Sequence, residues 1–345
     1  MNFSLNHYGF GKDIGIDLGT VNTLVHLKNK GIIIREPSVV AIDNETNKVI
    51  SIGNSADEML GRTPENITAV RPLREGVIAD FEITKEMIRF LLRKVSGSKL
   101  SIVRPRIIVC VPCGITDVEK RAVEEAVMLS GAKSVALIEE PMAAAIGCGL
   151  PVEKPCGSMV VDIGGGTTEV AIISLSGIVV SSSIRIAGNA IDDAIISYIK
   201  KEYNISIGEK TAEDIKKEIG SAILTDENTF YEVTGRDRVT GLPKTVRVTS
   251  GQINDAMNEC ILQIVEIVKS TLEKTPPELA KDIMNNGIVL TGGGALIKNL
   301  DILLYQVTGV PIKISENPLD CVAVGTLKAF ENEKIMNRSL FGIKK

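Results

Sequence analysis

The chain has no tryptophan, and aromatic residues make up only 3% of its 345 residues. Its cores must therefore be filled by Ile, Val, Leu and Ala, a palette that suits parallel-rich sheets covered by helices on both faces. Histidine is nearly absent, with only His7 and His26. A Cys110-x-x-Cys113 pair thus lacks the further ligands a zinc site needs and has no second Cys-x-x-Cys. No apolar stretch reaches the ~18 residues of a membrane span. Met1 to Tyr8 carries no basic region and no apolar core of signal-peptide length. There is no lysine/arginine block, and the net charge of −4 argues against nucleic acid as a partner. A Gly-x-x-x-x-Gly-Lys-Ser/Thr phosphate loop is missing as well.

What is present is a soluble globular profile, 44% hydrophobic and 24% charged, long enough for two domains with separate cores. The six cysteines form no disulfide framework. Cys110 ends the apolar run Ile107 to Val111, and burial as a small hydrophobe in a reducing cytoplasm accounts for it.

Asp17-Leu18-Gly19-Thr20 and Asp162-Ile163-Gly164-Gly165-Gly166-Thr167 are one device used twice. Each follows an apolar strand (Ile14 to Leu18, Met159 to Ile163) and leads into another (Thr23 to Leu27, Val170 to Ser174). A strand that ends in Asp, turns through Gly and exposes Thr gathers backbone N–H groups, a hydroxyl and a carboxylate at one point. That set can hold a polyphosphate and its magnesium ion. A dinucleotide fold would instead open a helix with Gly-x-Gly-x-x-Gly. Turns that lead into strands point to phosphates clamped between two hairpins, hence to two related lobes. A third glycine turn, Gly292-Gly293-Gly294, follows the strand Gly287 to Thr291.

Between these turns the apolar period alternates between strand and helix. Gly31 to Arg35, Val39 to Ile42 and Val49 to Ile52 read as strands, with a hairpin turn at Asn44 to Asn47 and a short helix over Ser55 to Leu60. Met87, Ile88, Leu91, Leu92 and Val95 form a helical stripe ended by Gly97. Thr116 to Glu119 is a capping box, and Val135 to Ile138 leads into the helix of Glu140-Pro141-Met142-Ala143-Ala144-Ala145. In the second half we expect a strand at Ile178 to Ser183, helices over Asn189 to Glu202 and Thr211 to Ile223, and a small antiparallel insert at Phe230 to Val233 and Thr245 to Val248. A long helix through Ile253 to Leu272, ended by Pro276-Pro277, and a helix from Ala295 follow. The fold class is α/β throughout.

Asp17-Leu18-Gly19-Thr20, Glu140-Pro141 with its alanine helix, Asp162 to Thr167 and Thr291 to Gly294 together resemble the five-part signature of the actin/Hsp70/sugar-kinase superfamily. The wording Ile138 to Gly147, Val160 to Val170, Asn22, Arg71-Pro72-Leu73 and Gly76 to Phe81 resembles the MreB/Mbl family within it, from about Asp13 to Phe330. The resemblance implies an actin-like ATPase fold: two ribonuclease-H-like lobes, each with a small inserted subdomain, and a nucleotide cleft between them. On that plan residues 1–32, 73–147 and 320–345 form subdomain IA, and 33–72 form IB. Residues 148–186 and 250–319 form IIA, and 187–249 form IIB.

The same resemblance implies roles. Gly19, Thr20 and Asn22 would line the first phosphate hairpin, and Gly164, Gly165, Gly166 and Thr167 the second. Asp17 and Asp162 would hold Mg2+ through water. Glu140 would orient the attacking water, assisted by Thr167. Gly292, Gly293 and Gly294 would let adenine lie against backbone, and Glu213 with Lys216 would reach the ribose. Glu213 and Lys216, three apart on a helix, read equally well as a surface ion pair.

The resemblance further implies a slow, Mg-dependent ATPase of the bacterial cytoskeleton that polymerises with itself into paired protofilaments. These would lie on the inner face of the cell membrane and organise wall synthesis with membrane-bound elongation proteins such as RodZ, MreC and MreD. Membrane contact would use the N-terminal tail with Phe3, Leu5, Tyr8 and Phe10, or the loop Leu100 to Val103, which reads equally as the start of a strand. Two other readings share these lobes. An Hsp70-type chaperone would need a substrate-binding region after Phe330, and a sugar kinase a catalytic base in a sugar pocket, which we do not find in the sequence.

Overall fold

The computed structural model describes residues 13–96, 104–224, 229–331 and 340–344. The tail and Leu100–Val103 segments named above lie outside them. Two sheets built on one plan dominate. In the first, Asp13–Leu18, Asn22–Leu27 and Gly31–Pro37 form an antiparallel meander. Arg106–Val111 then pairs parallel to Asp13–Leu18, and Ser134–Glu139 parallel to Arg106–Val111. Leu340–Lys344 closes that edge antiparallel. In the second, Ser158–Ile163, Thr168–Ser174 and Gly177–Ile184 make the same meander, and Ile288–Thr291 and Ile312–Ile314 add parallel strands beside Ser158–Ile163. Every residue of Ser158–Ile163 is buried, as a central strand covered on both faces requires, whereas Gly177–Ile184 alternates along an edge.

Each lobe has its own aliphatic core: Ile14, Ile16, Val109 and Leu137 with Ile88 and Leu91 in one, Val161, Ile172, Ile191, Ile264 and Leu290 in the other. A third cluster joins them. There the helices Glu140–Gly147 and Cys321–Lys328 lie between the sheets, and small residues let them touch. A Cβ on Gly325 would fall 1.7 Å from the Ala143 carbonyl oxygen. The chain thus crosses from first lobe to second after Glu140–Gly147 and returns just before Cys321–Lys328. Small sheets are inserted in both lobes, one of Val40–Asp43, Lys48–Ile52 and Ile67–Val70, the other of Ile205–Ser206, Phe230–Asp237 and Pro243–Thr249.

Local signals read from the sequence mostly hold. Thr116 and Glu119 form a reciprocal capping box, and Asp43 accepts hydrogen bonds from the N–H groups of Glu45 and Thr46 in the hairpin turn. Three expectations are corrected. The helix expected to reach Ile223 spans Glu209–Ile219, because Gly220 ends it and Ser221 bridges to Lys298. Pro277 does not only end the long helix Ser250–Glu273; it opens a further helix, Pro277–Asn286, as proline in a first turn can. After Gly292 the chain makes a 3-10 turn at Gly293–Leu296, and the α-helix begins only at Leu300.

Candidate functional site

The two Asp-Gly-Thr turns meet across the lobes. In the first, Ser38 donates its hydroxyl to the Gly19 carbonyl at 2.6 Å. The second is closed by the Gly164 N–H donating to the Thr167 carbonyl at 2.9 Å. A Cβ on Gly165 would lie 2.1 Å from Val21 Cγ2, and one on Gly166 2.5 Å from Thr20 Oγ1. Glycine stands at both positions because the opposite turn fills the side-chain space. Asn22 is exposed at the start of its strand.

A third segment touches both turns, and sequence reasoning assigned it no role. In the tight hairpin Leu73–Arg74 to Val77–Ile78, the Gly76 N–H donates to Thr20 Oγ1 at 3.0 Å. A Cβ on Gly76 would come within 3.2 Å of Thr167 Cγ2. Its neighbour Glu75 holds a left-handed φ of 50° and pairs with Arg185 at 2.9 Å, at the end of a second-lobe strand. Gly76, whose φ of 78° suits glycine, was the one available signal.

Four carboxylates gather behind the turns. Asp17 accepts from the Cys110 thiol at 3.3 Å, and Asp162, only 5% exposed, accepts from the Thr291 hydroxyl at 2.7 Å. Glu140 opens its helix in the first turn. Glu169, with no exposed surface, accepts from the Cys113 N–H at 2.8 Å and the Ser183 hydroxyl at 3.2 Å through one oxygen. Its other oxygen has no hydrogen-bond partner. Sequence reasoning missed Glu169, although a glutamate inside an apolar strand is costly without a purpose.

Burial is the leading cause of the shifted acidity of all four. It pushes Asp17 up to about 7, with the Cys110 thiol opposing and the Asp162 charge adding. Asp162 rises to about 6 against the Thr291 hydrogen bond, and Glu169 to about 8 against the bond from Cys113. Glu140 is held well above the usual carboxylate range by burial and by the charges of Glu169, Asp17 and Asp162. Cys110 and Cys113 are both buried, as the apolar reading of the pair expects.

Thr291 to Gly294 packs onto the end of the strand that carries Asp162. Gly292 has φ 77°, donates its N–H to the Pro318 carbonyl at 2.9 Å, and approaches the Ile163 carbonyl so closely that a Cβ would fall 2.3 Å away. Gly294 is equally close to the Ile163 side chain, and Gly293 faces Leu319. Lys216 binds the Asp192 carboxylate at 2.8 Å and the Gly188 carbonyl at 3.0 Å. Because Gly188 in turn donates its N–H to Gly164, Lys216 braces the second turn from behind. Glu213 pairs with Lys217 at 2.6 Å, so the two do not form a pair with each other.

The family model described as MreB/Mbl protein matches residues 11–338. The cell shape-determining protein MreB of Escherichia coli K12 is 51% identical over 336 residues, covering 96% of this chain and 97% of that protein. The cell shape-determining protein Mbl of Bacillus subtilis 168 is 49% identical over 332 residues, covering 96% and 99%. Among solved structures, MreB5 of Spiroplasma citri bound to ADP superposes with a TM-score of 0.88 at 41% identity, covering 94% of this chain and 98% of that one. The MamK double helical filament, at 18% identity and a TM-score of 0.77, shares the fold. An actin-like pair of lobes, a match along almost the whole chain and half-identity to both branches lead to one assignment: the chain belongs to the MreB/Mbl family.

Proposed function

We propose that this chain is a bacterial actin homologue that binds ATP with Mg2+ between its two lobes, hydrolyses it slowly, and assembles into filaments that set cell shape. The observation that carries the reading is the contact of the two glycine turns beside four carboxylates whose proton affinity burial raises. Backbone N–H groups on one side and carboxylates on the other suit a polyanion bridged by a hard cation. Relatives support it: MreB5 of Spiroplasma citri has been solved with ADP and with AMPPNP.

The donor set fits magnesium held through its water shell. Among the described residues no three acidic, His or Cys side chains are placed to ligate one metal ion directly, while the Asp162 charge helps raise the proton affinity of Asp17. When bound, the ion would neutralise charge on the phosphates. Gly19, Thr20, Asn22 and Gly164 to Thr167 then bind and orient the phosphate chain. Glu140 would hold the attacking water in line, with the Thr167 hydroxyl assisting. Positioning without a strong base gives slow turnover, suited to marking filament age. Gly292 to Gly294 and the Glu213–Lys216 helix would flank the nucleoside.

We also propose the four-subdomain division along the boundaries given above, with the small inserted sheets as IB and IIB. No helix among the described residues is long and apolar enough to cross a membrane, so attachment to the membrane face would rest on surface segments. The direct test is calorimetric titration with ATP, with and without Mg2+. We expect saturable binding that weakens at least ~10-fold when Mg2+ is removed. No binding in either condition would refute the nucleotide reading.

A further inference from the structure

The strands that carry Asp162 and Glu169 have two differently packed faces. Val161 and Val170 belong to the second-lobe core, whereas Val160 and Ala171 pack with Ala143 and Ala144 of the helix between the lobes. Side chains alternate along a strand, so Asp162 and Glu169 continue the interlobe face at its cleft end. Register makes these two residues direct cross-strand partners and sets Thr291 beside Asp162 on its other flank. Partners of this kind hold their Cβ atoms ~5 Å apart. Asp162 therefore stands between a hydroxyl that donates to it and a second carboxylate.

The protein around Glu169 accounts for only half of its carboxylate. Oε1 accepts from the Cys113 N–H at 2.8 Å and from the Ser183 hydroxyl at 3.2 Å, whereas Oε2 is buried with no hydrogen-bond partner. A strut from the second lobe to the first-lobe backbone needs the first oxygen alone. The second is left over, and a buried acceptor without a donor is costly. The Cys110-x-x-Cys113 segment also finds a place here. Cys113 gives its N–H to Glu169, and Cys110 gives its thiol to Asp17 at 3.3 Å. One short stretch of the first lobe thus fixes a carboxylate from each lobe.

We propose that Glu169 is a third carboxylate of the cation site, its free oxygen accepting a hydrogen bond from a water of the magnesium shell beside Asp162. The inference rests on the proposed nucleotide reading and gives Glu169 a place that this reading leaves open. A magnesium ion that keeps its waters offers hydrogen-bond donors to the carboxylates around it. An acceptor with no donor of its own, next in register to Asp162, meets that need. Charge agrees with geometry: burial raises the proton affinity of Glu169 against the Cys113 bond, and the Asp162 charge adds to it. A bound cation offsets both effects. Glu169 would touch the ion only through water, so its part is to position the hydrated ion.

The test titrates the full chain calorimetrically with AMPPNP, which is not turned over, with and without Mg2+. The quantity read is the factor by which Mg2+ strengthens AMPPNP binding. Glu169→Gln keeps the side chain's size and an acceptor for the Cys113 N–H, so the fold is retained. It sets an amide donor where the free oxygen stood. We expect metal-free AMPPNP affinity within ~2-fold of the parent and a Mg2+ factor reduced ~10-fold. A strut with no part in the cation site would leave that factor unchanged. An unchanged factor in Glu169→Gln, alongside a lowered one in Asp162→Asn, overturns this inference and leaves the nucleotide reading standing. No strengthening by Mg2+ in the parent itself would sink the cation site and this inference with it.

Discussion

Thr291 donates its hydroxyl to Asp162 Oδ1 at 2.7 Å, between parallel strands whose register places the two residues side by side. The bond turns a strand end into half of a cation site: it fixes the carboxylate's direction and opposes the effect of burial on its charge. Replacing Thr291 by Val keeps the shape and leaves a buried carboxylate oxygen unpaired. We expect a loss of about 1–3 kcal/mol of stability, with weaker Mg-dependent nucleotide binding, measured by chemical denaturation and calorimetry.

In the proposed reaction Glu140 would act where water meets the phosphate. For Glu140→Ala we expect nucleotide binding within a few-fold of the parent and phosphate release slowed ~100-fold. Retained phosphate release would remove Glu140 from its assigned place.

The raised proton affinity of these carboxylates makes stability depend on pH. Asp17, Asp162 and Glu169 bind protons more tightly folded than unfolded, with folded values of about 7, 6 and 8 against ordinary values of 3.8, 3.8 and 4.5. Between each pair of values the folded state holds a proton that the unfolded chain has lost. Stability of the nucleotide-free protein therefore falls as pH rises from about 4 to about 8. Thermal melts without Mg2+ should show that decline, and Mg2+ with ATP should flatten it. Glu169→Gln, which keeps an acceptor for the Cys113 N–H, should remove the alkaline end of the slope.

Gly166 has no room for a side chain, since a Cβ would sit 2.5 Å from Thr20 Oγ1 and 3.0 Å from Glu75 Cα. Gly166→Ala should push the lobes apart at the turns. We predict a stability cost of about 1–3 kcal/mol and at least ~10-fold weaker ATP affinity, read by melting and by titration.

The parts legible in sequence were those with a local rule. Strand ends at Asp17 and Asp162, the capping box at Thr116 and the helix opened by Glu140 each follow from a few adjacent residues. What stayed hidden depends on tertiary position. Glu169 lies in an apolar strand, and only its neighbours Cys113 and Ser183 show that it belongs to the site. The Glu75–Gly76 turn had no reading of its own in the sequence, and only the fold sets it on Thr20. Lys216 and Glu213 share a helix face, yet Asp192, a residue of another helix, decides where the Lys216 ammonium goes. The double proline at 276–277 hid a helix because proline both stops one and starts the next.

Co-sedimentation of the full chain with ATP and Mg2+, with and without anionic liposomes, tests the central claim most directly. A nucleotide clamp that drives polymerisation predicts a pelleting fraction that appears above a threshold concentration, requires nucleotide, and persists longer in Glu140→Ala than in the parent. Protein that stays monomeric across a broad concentration range, with every nucleotide and with liposomes present, would contradict it.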